Sequence, residues 1–143
     1  MANKLGNDFF EQVAKKQIDF SADVFKIILM KSGYVYNRAT DVNKAVSNVS
    51  TNELATAYGY TQGGATLSGV SVAQDDVNNG ANVTWSSATW NISGGSITAS
   101  GALIYDDTHA SDLIIGYIDF GGDQTCLSGG VATVANIAIN LRG

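Results

Sequence analysis

The side chains best suited to chemistry lie within seven residues, Asp106-Asp107-Thr108-His109-Ala110-Ser111-Asp112. Carboxylates beside the chain's single imidazole could hold a cation or move a proton. The spacing, however, lacks the Gly and the distal Glu of an EF-hand loop. A Ser-His-Asp triad through His109 would need a nucleophile elbow, and no G-x-S-x-G accompanies Asp107 or Asp112. Lying between two apolar strand candidates, the stretch reads as a solvent-exposed hairpin loop. Asp75-Asp76, ahead of Asn78-Asn79-Gly80, reads as a polar turn.

The remaining candidates are isolated. A two-carboxylate glycosidase needs an acid in an apolar pocket. Glu53 is the only Glu outside the N-terminal helix, and Asp119 in IIGYIDFG is the only acid inside an apolar strand. Asp119 is expected at a strand end or paired across a sheet. Cys126 is expected in a loop, with no basic neighbour to activate its thiol. Trp85 and Trp90 bracket Ser86-Ser87-Ala88 and could stack on sugar rings, although aromatics so placed more often pack a core. GYTQGG at 59–64 precedes no helix and is not a phosphate loop. These residues make no catalytic set, no metal site and no cofactor site, and the expectation is a protein that is not an enzyme.

Composition bounds the partners. The net charge is −5, which disfavours a nucleic acid held by its phosphates. One Cys and one His exclude an internal disulfide framework and most zinc sites. The longest apolar run, Ile27-Ile28-Leu29-Met30, is far short of a membrane span, so no membrane partner is expected. The N-terminus lacks the apolar stretch of a signal peptide. Charge is unevenly placed: residues 1–44 hold seven of the eight basic residues against five acids, and the rest holds Arg142 against eight.

The elements that must position these residues follow from periodicity. DFFEQVAKKQ at 8–17 predicts a helix capped by Asp8 and Glu11, with Phe9, Phe10, Val13 and Ala14 as its apolar stripe. So short a helix is not stable alone in water and must dock on its own domain or on another chain. From Val24 to Met30 both faces are apolar, which predicts a strand buried on both sides. DVNKAVSNV at 41–49 reads as one or two helical turns. After Gly63-Gly64 the pattern is all β, with strands expected at 66–72, 81–86, 89–93, 97–105, 112–120 and 131–141. The last alternates Val131, Thr133, Ala135, Ile137, Ile139 and Leu141 on one face. The fold class read from this is mostly β: an antiparallel β-sandwich, jelly-roll-like, with a short N-terminal helix. Residues 1–20 are expected to form a helical arm, and 21–143 a single sandwich domain.

Five motifs in order resemble a family of small structural proteins of tailed bacteriophages. They are Ile18-Asp19-Phe20-Ser21-Ala22-Asp23; Phe25-Lys26-Ile27-Ile28-Leu29; Glu53 followed by Gly59-Tyr60-Thr61-Gln62-Gly63-Gly64-Ala65-Thr66-Leu67; Val83-Thr84-Trp85-Ser86; and the pair Leu103-Ile104-Tyr105-Asp106 and Tyr117-Ile118-Asp119-Phe120-Gly121. Where family members carry an Arg before the Tyr-Asp, this chain has Ala99-Ser100-Gly101-Ala102. The resemblance implies a virion component on the capsid exterior, made in the bacterial host cytoplasm. Its role would be a capsid decoration or cement protein bound to the major capsid protein and to itself, as a homo-trimer or homo-dimer. Phe9, Phe10 and Val13 are the expected interface residues. The alternatives are a neck, tail or fibre-associated protein, or a carbohydrate-binding module using Trp85 and Trp90.

Overall fold

A computed structural model describes residues 2–5, 9–37 and 45–142, with the side chains of 2–5, 9, 10 and 142 outside that description. In chain order the first elements are β1 (Ala2–Leu5), α1 (Phe9–Ala14), β2 (Phe25–Met30), β3 (Ala65–Thr66) and β4 (Ser71–Asp75). There follow β5 (Gly80–Thr84), β6 (Ala88–Asn91), β7 (Ile97–Asp106), β8 (Leu113–Cys126), β9 (Val131–Val134) and β10 (Ala138–Arg142). The strands build an antiparallel five-stranded sheet, β1-β8-β7-β2-β3, a three-stranded sheet, β10-β5-β4, and the pair β6-β9.

Strand β2 explains the arrangement. Phe25, Ile27 and Leu29 enter one apolar cluster, while Ile28 and Met30 enter another. A strand apolar on both faces needs cover on both. The larger cluster is completed by Val83, Trp85, Trp90, Val134, Ile137 and Ile139 from the smaller sheets and their flanks. The other face is covered by Tyr34, Tyr36 and the 3-10 turns Val46–Asn48 and Ser50–Asn52, through Val46 and Val49. Those turns are what becomes of the helical reading of 41–49, whose first residues lie outside the described ones.

Three strand expectations change. The single strand expected at 131–141 is two, β9 and β10, which pair with different sheets. Asn136 between them has φ +55°, a left-handed conformation that Asn tolerates better than most residues. The turn reverses the alternation, so Val134 and Ile137 are both buried. The strand expected at 66–72 is likewise two short pieces, β3 and β4. The one expected at 112–120 runs on to Cys126, past an irregularity where Ala99 pairs with Gln124 but Gly101 pairs with Asp119. A second irregularity near Tyr105 resets the phase of β8, so that Leu113, Ile115 and Ile118 all reach the larger core. Cys126 is therefore the half-buried last residue of β8 and not a loop residue. Strand β1, which the sequence did not signal, joins the open edge of β8.

Helix α1 is shorter than expected and ends in a Schellman arrangement. Gln17 N–H donates to Gln12 O and Lys16 N–H to Val13 O, with Lys16 at φ +57°. Glycine is the usual residue there, because a Cβ in the left-handed region costs about 1–2 kcal/mol. Lys16→Gly is expected to stabilise the chain by roughly 1 kcal/mol, read as a higher urea midpoint at unchanged slope.

Candidate functional site

A buried polar network lies beside the outer edge of β2. That edge has no continuous partner strand. Leu54 N–H donates to Leu29 O, and Leu67 N–H donates to Phe25 O. Ala65 and Thr66 pair with Ile27 and Lys26. The gap is closed by a side chain: Leu29 N–H donates to the Tyr60 hydroxyl at 3.0 Å. Tyr60 in turn donates to Glu53 Oε1 at 2.7 Å, and the same oxygen accepts Gly63 N–H at 2.7 Å. Tyr105 on β7 donates its hydroxyl to Gly63 O at 2.9 Å. Glu53 is only 3% exposed. Burial first, and then the hydrogen bond to Glu53, raise the Tyr60 hydroxyl well above the ordinary tyrosine range. Burial also lifts Tyr105, to about 12, with Asp107, Asp112 and Glu53 adding to it. The Glu53 and GYTQGG motif is thus a latch that completes a β-ladder with side chains.

The acidic stretch is not simply the exposed loop it reads as. Its first member, Asp106, ends β7 and is 0% exposed. Asp106 Oδ1 accepts Thr108 N–H at 3.0 Å and His109 N–H at 3.2 Å. Oδ2 is buried and meets no donor among the described residues, and the Asp23 carboxyl lies against the Asp106 carboxyl. Burial, then the Asp23 carboxyl, pushes Asp106 up to about 7. The rest of the stretch does turn outward: Asp107 pairs with Lys26 at 3.2 Å, and His109 Nδ1 accepts Ser111 N–H. Among the described residues no three His, Cys, Asp or Glu side chains converge as metal ligands. The signal that could have marked Asp106 as different is its position, directly after the apolar run Ala102-Leu103-Ile104-Tyr105.

Trp85 and Trp90 do not offer sugar-stacking faces, being 6% and 7% exposed. Trp85 packs on Phe20 and Phe25, and Trp90 on Tyr60. Core burial has consumed the surface that a glycan would need. Trp90 also lines a cleft of about 520 Å³ between the far end of β7-β8 and the β6-β9 pair, with Phe120, Cys126 and Val134. Asp119 sits half-buried next to the β8 irregularity, its Oδ1 accepting Gly121 N–H at 2.9 Å. Of the expected interface residues, Phe9 and Phe10 open α1 and their side chains lie outside the described ones. Val13 is partly buried against the chain's own larger core.

Apolar surface is left uncovered at the edge strand β4, as it also is at Val35, Leu127 and Val131. Val72 lies opposite Val83, which lies opposite Ile139, so the three form one row on the core side of the sheet. Val83 and Ile139 are buried, yet Val72 is 55% exposed. Val70, just before the strand, is also exposed, and Val77 stands out at the tip of the β4-β5 hairpin. No helix among the described residues is long and apolar enough to cross a membrane. Comparison with protein-family models, with curated proteins and with solved structures finds no match to this chain.

Proposed function

We propose that this chain is a structural protein of a tailed-bacteriophage virion, a decoration protein that binds the major capsid protein lattice and stabilises the head. The observation that carries the reading is the row Val72-Val83-Ile139, a core row running out past the chain's own cover onto an open strand edge. Monomeric proteins guard such edges with Lys, Pro or an inward charge; β4 carries only Asp75, at its hairpin end, and Val70 to Gln74 has none of these. An adhesive protein needs such a surface, and a lattice supplies partners for it. The five motifs that resemble the phage family support the same reading, since they supply β2, the Glu53 latch, Trp85 and the paired strands β7 and β8.

The five-stranded sheet forms one layer and the two smaller sheets the other, a jelly-roll-like sandwich around the larger core, with the corner at Asn136 carrying the chain between sheets. Clamping then acts by burial: opening the shell would also require exposing the apolar surface that the decoration protein covers. Phe9, Phe10 and Val13 are proposed to add a second contact, to the capsid or to a neighbouring copy in a trimer or dimer.

Virion occupancy tests this. Quantitative mass spectrometry of purified particles is expected to find hundreds of copies per particle. It is also expected to find occupancy lowered at least several-fold by Val72→Lys and by Phe9→Ala with Phe10→Ala, at unchanged monomer stability. A ring's worth of copies, roughly a dozen, moves the protein to the neck or tail. Absence from particles, or full occupancy by both variants, overturns the reading.

A further inference from the structure

We propose that Asp23 and Asp106 form a carboxyl–carboxylate latch that shares one proton and ties the segment entering β2 to the end of β7. The geometry favours a proton there. Asp106 Oδ1 is already committed to the N–H groups of Thr108 and His109. Oδ2 is buried and meets no donor among the described residues, and the Asp23 carboxyl lies against the Asp106 carboxyl. Asp23 Oδ2 accepts Asp19 N–H at 2.8 Å, so Asp23 also offers only acceptors. Two carboxylates in contact, out of water, repel and leave lone pairs unsatisfied. One proton turns the contact into an O–H···O⁻ hydrogen bond, among the stronger kinds in proteins.

What the latch holds is defined by the bonds around it. Asp107 N–H donates to Val24 O at 2.8 Å, and Val24 N–H donates to Thr108 Oγ1 at 2.8 Å. Immediately upstream, Ile18 and Phe20 are buried in the larger core. The latch therefore fastens the whole N-terminal segment to the β7-β8 hairpin. The other charged groups on the packed elements are engaged elsewhere or lie outside it. Lys26 pairs with Asp107. Asp19 is held low chiefly by the Ser21 hydroxyl and N–H. His109 Nδ1 accepts Ser111 N–H, and Asp112 lies exposed at the far end of the loop. None donates a proton to Asp106 Oδ2.

The sign follows from burial. The folded state holds the Asp106 proton more tightly than the unfolded chain, where an aspartate titrates near 3.8. The latch's contribution is complete below that value and is lost as pH rises through about 7. Between pH 5 and pH 7 the folding equilibrium constant should fall by up to about tenfold per pH unit from this site.

The experiment is urea denaturation of the full chain across pH 5 to 8.5, with carboxyl carbon NMR of Asp23 and Asp106. Wild type should lose stability with rising pH, and one proton should titrate on the pair near neutral pH. Asp106→Asn, whose amide can donate to Asp23 permanently, should fold and lose that dependence. Asp23→Asn should do the same from the other side, which keeps the test open if either variant fails to fold. A His109→Gln control should retain the slope. Amides of Val24 and Asp107 should lose hydrogen-exchange protection above neutral pH in wild type relative to Asp106→Asn. Both carboxyls titrating in the ordinary range, or a slope that survives both Asn variants, overturns the proposal. So does stability that follows calcium against EDTA in place of pH, since a cation and not a proton would then bridge the pair.

Discussion

Glu53→Ala is expected to destabilise the chain by about 3–5 kcal/mol, although Glu53 touches neither a ligand nor the surface. The substitution strands two donors at once, the buried Tyr60 hydroxyl and the half-buried Gly63 N–H, both of which end on Glu53 Oε1. Each orphaned group costs roughly 1–3 kcal/mol, and losing the packing of a side chain that is 3% exposed adds to this. Tyr60→Phe should cost less, about 2 kcal/mol, because it leaves Leu29 N–H without an acceptor but lets Glu53 keep Gly63. Glu53→Gln should be milder than Ala, since its carbonyl oxygen can take both donors. Urea midpoints at a fixed slope measure all three. A loss below 1 kcal/mol for Glu53→Ala would show that the latch is dispensable.

Gly64→Ala should be at least as severe, about 4 kcal/mol or a failure to fold, whereas Gly63→Ala next to it should cost about 1–2 kcal/mol. Both glycines have positive φ, +94° and +72° in chain order, so both substitutions carry backbone strain. Space separates them. A Cβ at Gly63 would meet nothing within 4 Å, while one at Gly64 would lie 1.9 Å from Ile27 O. The obstacle is backbone that cannot yield, because β2 is paired along its length with β7 on its other side. Soluble yield and thermal midpoint of the two variants decide it. Equal losses would mean that strain alone, and not the close approach to β2, sets the cost.

Much of this fold is legible in the chain because its periodicity is local. The doubly apolar β2, the six-residue helix near its predicted place, and the polar turn at Asn78-Asn79-Gly80 all follow from neighbouring residues. The errors arise where one residue reverses a period. Asn136 breaks what reads as one eleven-residue strand from Val131 to Leu141, because alternation continues on paper through a left-handed residue that in space sends β9 and β10 to different sheets. The irregularities of β8 are of the same kind. Strand β1 has no strong pattern of its own and exists because β8 presents an edge for it to pair with.

The chemistry-bearing residues divide by the same logic. The sequence alone determined that the titratable groups near residue 106 are close together, that Glu53 stands out, and that Trp90 belongs to a β segment, with Trp85 just past the end of another. Only the tertiary structure decided what each became. Asp106 and Asp23, 83 positions apart in the chain, meet because β2 and β7 are neighbours in register, Phe25 opposite Asp106. Glu53 becomes a ladder component because β2 lacks a full partner strand, and the Trp faces are spent on Phe20, Phe25 and Tyr60. Composition and spacing fix which groups are available, but solvation and hydrogen bonding determine their behaviour. Those depend on contacts between residues far apart in sequence.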